Sequence, residues 1–200
     1  MFYRQQILVD SLIITASLDP FIRGLDYLYG VRGLALDPDM VNWVYDLEQR
    51  SPICTWIGQH IEAVNTQLNV YLQACHNCFH PWEQPAIQVF AAPLAQSFGI
   101  DALCNFQTQP LTILVDVGRV EPEDWLRLVV HEYAHAHAGS PGHHSQFARS
   151  LGHLCLGLEI ELPLCQPGRE ENLRFYPHCL ATADPLAFWQ GKSADRRFDA

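Results

Sequence analysis

The sequence predicts an α+β fold, with a small β-sheet packed on a histidine-bearing helix and a helical region ahead of it. Three observations predict it. Ile57, Ile61, Val64, Leu68, Tyr71 or Leu72, and Cys75 recur at steps of three and four, the spacing of one apolar helix face. Two short β-like runs follow, AIQVFAA at 86–92 and LTILVDV at 111–117. A segment opened by Pro122 and closed by Gly139 then carries His131, Glu132 and His135.

In chain order, the stretch MFYRQQILVDSLIITASLDP reads as an amphipathic helix burying Ile7, Leu8, Leu12, Ile14 and Leu18, since Asp10 interrupts any signal-like apolar run. Asp37-Pro38 is a helix-start signal, Asp as cap and Pro in the first turn, and predicts a helix to about Arg50. Pro52 breaks the chain before the long striped helix, and Pro81 and Pro85 end the helical region. The run at 111–117 is nearly all apolar, as expected of a strand covered on both faces. FGIDALCNFQTQ, between the two runs, reads as a loop or short hairpin. A further helix is expected from about Ser145 to Leu158, after the Ser140-Pro141-Gly142 turn. From Leu162 onward Pro163, Pro167, Pro177 and Pro185 predict an irregular tail that wraps the domain. The expected organisation is therefore a helical region at 1–80, a core at 81–162 and a tail at 163–200, all within one compact unit.

Composition narrows the function. A 200-residue chain is long enough for one domain with a real core, and 48% hydrophobic residues exclude disorder as its main state. Acidic residues number 22 against 12 basic ones, for a formal charge of −10, and Lys192 is the one lysine. Such a chain is a poor candidate for nucleic acid or an anionic membrane. With no apolar run of the ~18–20 residues that span a bilayer, the expected location is the cytoplasm. The seven cysteines are an odd number without a signal-like leader, which argues against a disulfide framework. Cys75 and Cys78 form one CxxC, but no second pair completes a structural metal site.

The chemistry concentrates in the histidines. Six of the ten fall within 131–153. His131-Glu132-Tyr133-Ala134-His135 fits HExxH, a pattern expected about 0.02 times by chance in a chain of this composition. Residues i and i+4 share a helix face, so two imidazoles there reach one zinc ion. Glu132, one residue on, flanks the metal and is placed to take a proton from zinc-bound water. A catalytic zinc needs a third protein ligand and an open fourth position. His137 lies about 240° round the helix from His131 and points elsewhere. His143 and His144 follow the turn, His153 lies in the next helix, and Glu159 and Glu161 lie near its end, so spacing alone leaves several candidates.

The stretch HEYAHAHAGSPGHHSQFARSL resembles the SprT-like and WLM-type zinc metallopeptidases, small single-domain relatives of the gluzincins. Their pattern is HExxH, a short variable loop, then a Gly-His or Asn-His step with Phe four residues after that histidine. Here the step is Gly142-His143, with Phe147 in the Phe position. The resemblance implies a zincin-like fold, a zinc cofactor held by His131, His135 and His143, Glu132 as catalytic base, and Phe147 packed under the metal. It also implies that 111–117 is the strand beside the active site. It covers roughly residues 86–158 in order and about 20 residues in motif. Two features depart from it: no zinc ribbon of two CxxC pairs follows the core, and the chain is acidic, which does not support a DNA-linked role. The expected partner is a peptide or protein substrate.

Weaker candidates surround this set. His144 is a possible donor to a substrate oxygen, Tyr176 and His178 are possible donors to an oxyanion, and Asp116 and Arg119 are possible partners that orient a ligand imidazole. The competing function is a non-catalytic zinc-binding structural or interaction domain, in which Glu159 or His144 would close the fourth position. A helical interaction module in which the CxxC matters is a third option.

Overall fold

A computed structural model describes residues 19–163 and 168–192. The helix expected from Ile7 to Leu18 lies outside the described residues, as does Cys165. Helix α1 spans Pro20–Arg32, with the Asp19 carboxylate accepting the Phe21 N–H and Pro20 in the first turn. Two 3-10 turns follow, Pro38–Val41 and Trp43–Tyr45, in place of the helix predicted to Arg50. The start signal works locally, since Asp37 accepts from the Asp39 N–H at 2.8 Å. Propagation fails because the Met40 carbonyl, which residue 44 would use in a helix, accepts instead from Ala95 N–H at 2.8 Å. The Asp46 carboxylate also accepts from the Glu48 and Gln49 N–H groups, offering the backbone a turn instead of a helix.

Helix α2, Arg50–Asn77, runs for 28 residues. Pro52 does not separate it from what precedes. It sits in the first turn, where its missing N–H has no intrahelical partner to lose. The buried side includes Ile57, Ile61, Val64, Leu68, Leu72 and Cys75. α1 crosses it at backbone contact: a Cβ on Gly24 would lie 1.8 Å from the Cys54 carbonyl oxygen, and one on Gly58 1.8 Å from that of Pro20. The Arg23 guanidinium locks this crossing by donating to the Gly58 carbonyl at 3.0 and 2.7 Å.

Three strands form one sheet in the order β1-β3-β2. β1, Ile87–Ala91, is parallel to β3, Leu111–Val115, with Ile87 opposite Leu111. β2, Ala102–Asn105, is antiparallel to β3, with Cys104 opposite Ile113. The segment read as a loop or hairpin is thus a hairpin strand. β3 is central, and Thr112 to Val115 are buried, which accounts for its unbroken apolar run.

Helix α3, Trp125–Ala138, follows a 3-10 turn at Pro122–Asp124 and ends at Gly139, whose φ of 64° is the left-handed cap that glycine favours. α3 packs on the sheet, on α2 and on α4, Ser145–Gly157. Coverage from these sides buries every residue from Leu128 to Ala136. The tail folds back as a 3-10 segment, Glu170–Phe175, a bridge of Ala181 to Val120, and a short helix α5, Pro185–Trp189. Its last anchor is the buried Trp189. One apolar cluster runs from Tyr27 through both long helices and the sheet to Trp189. Among the described residues no helix is long and apolar enough to cross a membrane.

Candidate metal centre

Helical spacing places His131 and His135 one turn apart on α3, both buried. Gly139 turns the chain, and His143 returns just before α4 begins. The three Nε2 atoms then form a triangle whose sides are each 3.2 Å. Phe147, fully buried on the first turn of α4, lies against all three rings at centroid distances of 5.1, 4.3 and 4.8 Å. No other histidine, cysteine, aspartate or glutamate among the described residues joins this cluster. His144 is exposed at the N-terminal cap of α4, and Glu159 is exposed beyond its end.

The donor set fits a metal ion. Tetrahedral nitrogen ligands at 2.0–2.1 Å from an ion stand about 3.3–3.4 Å apart, close to the observed side. The tautomer agrees. His135 Nδ1 lies 3.0 Å from the Ser140 carbonyl, which only accepts, so Nδ1 carries the proton and Nε2 presents a lone pair. The rings resist protonation. Burial, then the neighbouring His135 and His143 rings, push His131 down to about 3, while the Tyr176 main chain opposes this. At the same time His131 Nδ1 is buried with no partner at hydrogen-bonding geometry. Burial pushes His135 down to about 4 against the opposing Ser140 carbonyl. Burial, followed by the neighbouring Arg174 guanidinium and the His144 ring, lowers His143. Three neutral imidazoles with converging lone pairs can bind a metal ion.

A cleft of about 460 Å³ opens over the triangle. Glu132 lines it beside the histidines. Burial lifts its carboxyl to about 8, partly offset by the Cys104 main-chain N–H. The opposite wall is β2 with the loop before it, including Gly99, Ile100 and Cys104. No residue of 111–117 lines the cleft, so the strand beside the site is β2 and not the run that the resemblance pointed to. β3 is separated from it because it is the middle strand of the sheet. The tail supplies a further wall, Arg174 to Pro177.

The weaker candidates are used elsewhere. Tyr176 lines the cleft, but its hydroxyl donates to the Glu161 carbonyl at 2.6 Å and contacts Cys155 Sγ at 3.5 Å, which ties the tail to α4. His178 is exposed and outside the cleft. Asp116 orients no imidazole. Its carboxylate accepts from the Leu94 and Gly118 N–H groups, Arg119 Nε and Trp189 Nε1. Arg119 in turn donates to the Leu94 carbonyl. The role expected of this pair falls to the Ser140 carbonyl.

His137 and His153 belong to a second, structural group. Phe79 stacks on His137 at 3.9 Å and lies 4.8 Å from His153. His137 Nδ1 pairs with Ser150 Oγ at 3.0 Å, and His153 Nε2 donates to the Cys78 carbonyl at 2.7 Å. Together they pin the end of α2 to α3 and α4. Cys75 is fully buried and burial raises its thiol pKa, as it does that of Cys78, so both read as packing groups. The β2 wall and Arg174 were missed by sequence reasoning. Nothing in their local pattern marks them, because contacts distant in sequence bring them to the cleft. No family model, curated protein or solved structure matches this chain.

Proposed function

We propose that the chain is a zincin-like zinc metallopeptidase, similar to the SprT-like and WLM-type enzymes, that hydrolyses peptide bonds with Glu132 as general base. The single observation that carries this reading is the 3.2 Å triangle of Nε2 atoms with the Glu132 carboxyl beside it in an open cleft. Zinc is the ion of choice because three neutral imidazoles with one open position are its usual catalytic set. His131, His135 and His143 would hold it.

A bound zinc ion would supply the Lewis acidity that polarises a carbonyl and lowers the pKa of water, and its charge would draw Glu132 back towards the ionised form. The chain's own residues do the rest. Glu132 takes a proton from the attacking water and passes it to the nitrogen of the departing amine as the carbon–nitrogen bond breaks. The Ser140 carbonyl holds the His135 ring in its productive tautomer. β2 is an edge strand lining the cleft, so the outward main-chain groups that Glu132 does not use suit pairing with an extended peptide.

A structural site is normally closed by four protein ligands, and among the described residues this one has three. That favours an enzyme over the non-catalytic domain. The test is Glu132→Gln. The zinc-loaded variant is expected to keep one zinc per chain and to lose roughly 10²–10⁴-fold in peptide hydrolysis. Cleavage at the wild-type rate would overturn the general-base role. Wild-type protein that binds no zinc would overturn the whole reading.

A further inference from the structure

We propose that Arg174 is a specificity residue, which selects peptides carrying a carboxylate close to the scissile bond. This rests on the peptidase reading and adds a substrate class to it. Arg174 lines the cleft, and it is the one Arg or Lys among the described residues that does so. It stands at the end of the 3-10 segment of the tail, exposed, with its guanidinium 4.5 Å above the Phe175 ring. That stacking steadies the group without using its donors.

What sets Arg174 apart is its place in the cleft. Arg32, Arg119 and Arg127 pair with aspartates, Arg23 and Arg50 donate to main-chain carbonyls, and Arg149 and Arg169, though without such partners among the described residues, do not line the cleft. Arg174 has neither an ion pair nor a hydrogen bond among the described residues, in a chain of net charge −10. Its position relative to the metal site follows from the cleft that both share. A free guanidinium presents a planar fork of donors, which matches a carboxylate through two parallel hydrogen bonds. Leu36, Ile100 and Phe106 line the same cleft, so the matching ligand combines an apolar side chain with a carboxylate. The carboxylate comes either from the peptide's C-terminus or from an Asp or Glu side chain.

The test uses zinc-loaded full-length protein and quenched fluorescent peptides with one Leu-Phe core. One pair differs only in a free or amidated C-terminus next to the core, the other only in Glu or Gln there. Wild type is expected to prefer a carboxylate-bearing member by about 10–100-fold in kcat/KM, mainly through KM, as for a hydrogen bond between charged groups. R174Q should collapse that ratio and R174K should keep part of it, each with one zinc per chain. Preference within the first pair identifies the C-terminal carboxylate, and preference within the second identifies an acidic side chain. A wild-type ratio near one in both pairs overturns the proposal, as does R174Q slowing both members of a pair by the same factor. Binding of the same peptides to zinc-loaded E132Q and to E132Q/R174Q, followed by anisotropy, separates the two ideas. Carboxylate selectivity in binding that needs Arg174, with no cleavage by wild type, sinks the peptidase reading and keeps this one. Cleavage without such selectivity does the reverse.

Discussion

His135 and Ser140 are joined by a ring-to-carbonyl hydrogen bond of 3.0 Å across the end of α3. The carbonyl sits where it does because Gly139 turns the chain at φ 64°. A Cβ at this glycine would meet nothing within 4 Å, so a side chain there is resisted by backbone conformation alone. Gly139→Ala is therefore expected to cost roughly 1–2 kcal/mol of stability and to shift the carbonyl off the ring. Metal affinity should fall by about 10–100-fold, the usual effect of losing a partner that orients a ligand. Gly139→Asn should be milder, since Asn tolerates the left-handed region. Chelator competition and thermal unfolding measure the two effects. An alanine variant with wild-type metal affinity would show that the Ser140 carbonyl does not matter.

The metal-free protein should lose stability in mild acid. In the fold, burial holds His131 near 3 and His135 near 4, whereas an unfolded imidazole titrates near 6.5. Between those values the unfolded chain binds protons that the folded chain refuses. Stability is then fully present above about pH 6.5 and is lost as pH falls towards 4. Denaturant midpoints of chelator-treated protein at pH 7 and pH 5 check this. The double variant His131→Gln, His135→Gln should show a visibly smaller drop, and an equal drop would remove these rings as the cause.

The crossing of α1 and α2 tests the packing beneath the site. Gly24→Ala brings a methyl group to within 1.8 Å of the Cys54 carbonyl oxygen, a backbone atom that no side-chain rotation can move aside. The helices must separate, which opens the interface that buries Leu28, Val31 and Ile57. A loss of at least about 3 kcal/mol is expected, at the severe end for single substitutions. Gly152→Ala on α4, where a Cβ meets nothing within 4 Å, should be neutral or stabilising. Equal effects of the two would refute the close-approach account.

How much of this was legible depends on the range of the forces involved. HExxH could be read because helical periodicity alone brings His131 and His135 together, and Gly139 because its cap conformation is local. The central strand could be read because burial on both faces demands an apolar run, which Leu111–Val115 supplies. The stretch from Asp37 could not, because its helix is cut short by Ala95, a residue more than fifty positions away that takes the Met40 carbonyl. β2 has four residues with no alternation and is a strand only through its pairing with β3. Arg174 reaches the cleft because the Tyr176 hydroxyl holds Glu161 and the Leu180 N–H holds Asp124, and neither bond has a sequence signature.

Asp116 anchors the tail to the sheet and gives the opposite pH signature to the histidines. Trp189 Nε1 donates to it at 2.7 Å across 73 positions. Burial nevertheless dominates and pushes the carboxyl up to about 6, against the lowering effect of Trp189, Arg119 and two main-chain N–H groups. The unfolded group ionises near 3.8, so between about pH 4 and 6 the unfolded chain releases a proton that the folded chain retains. This group's contribution to stability therefore falls as pH rises through that window, by about 3 kcal/mol in total. Asp116→Asn removes the titration while keeping one acceptor oxygen for the donors. The difference in unfolding free energy between wild type and Asp116→Asn should move in the variant's favour by up to about 3 kcal/mol between pH 4 and pH 7. Taking the difference cancels the histidine contribution, which both proteins share. If the difference is the same at both pH values, Asp116 is ionised throughout and the donors around it outweigh burial.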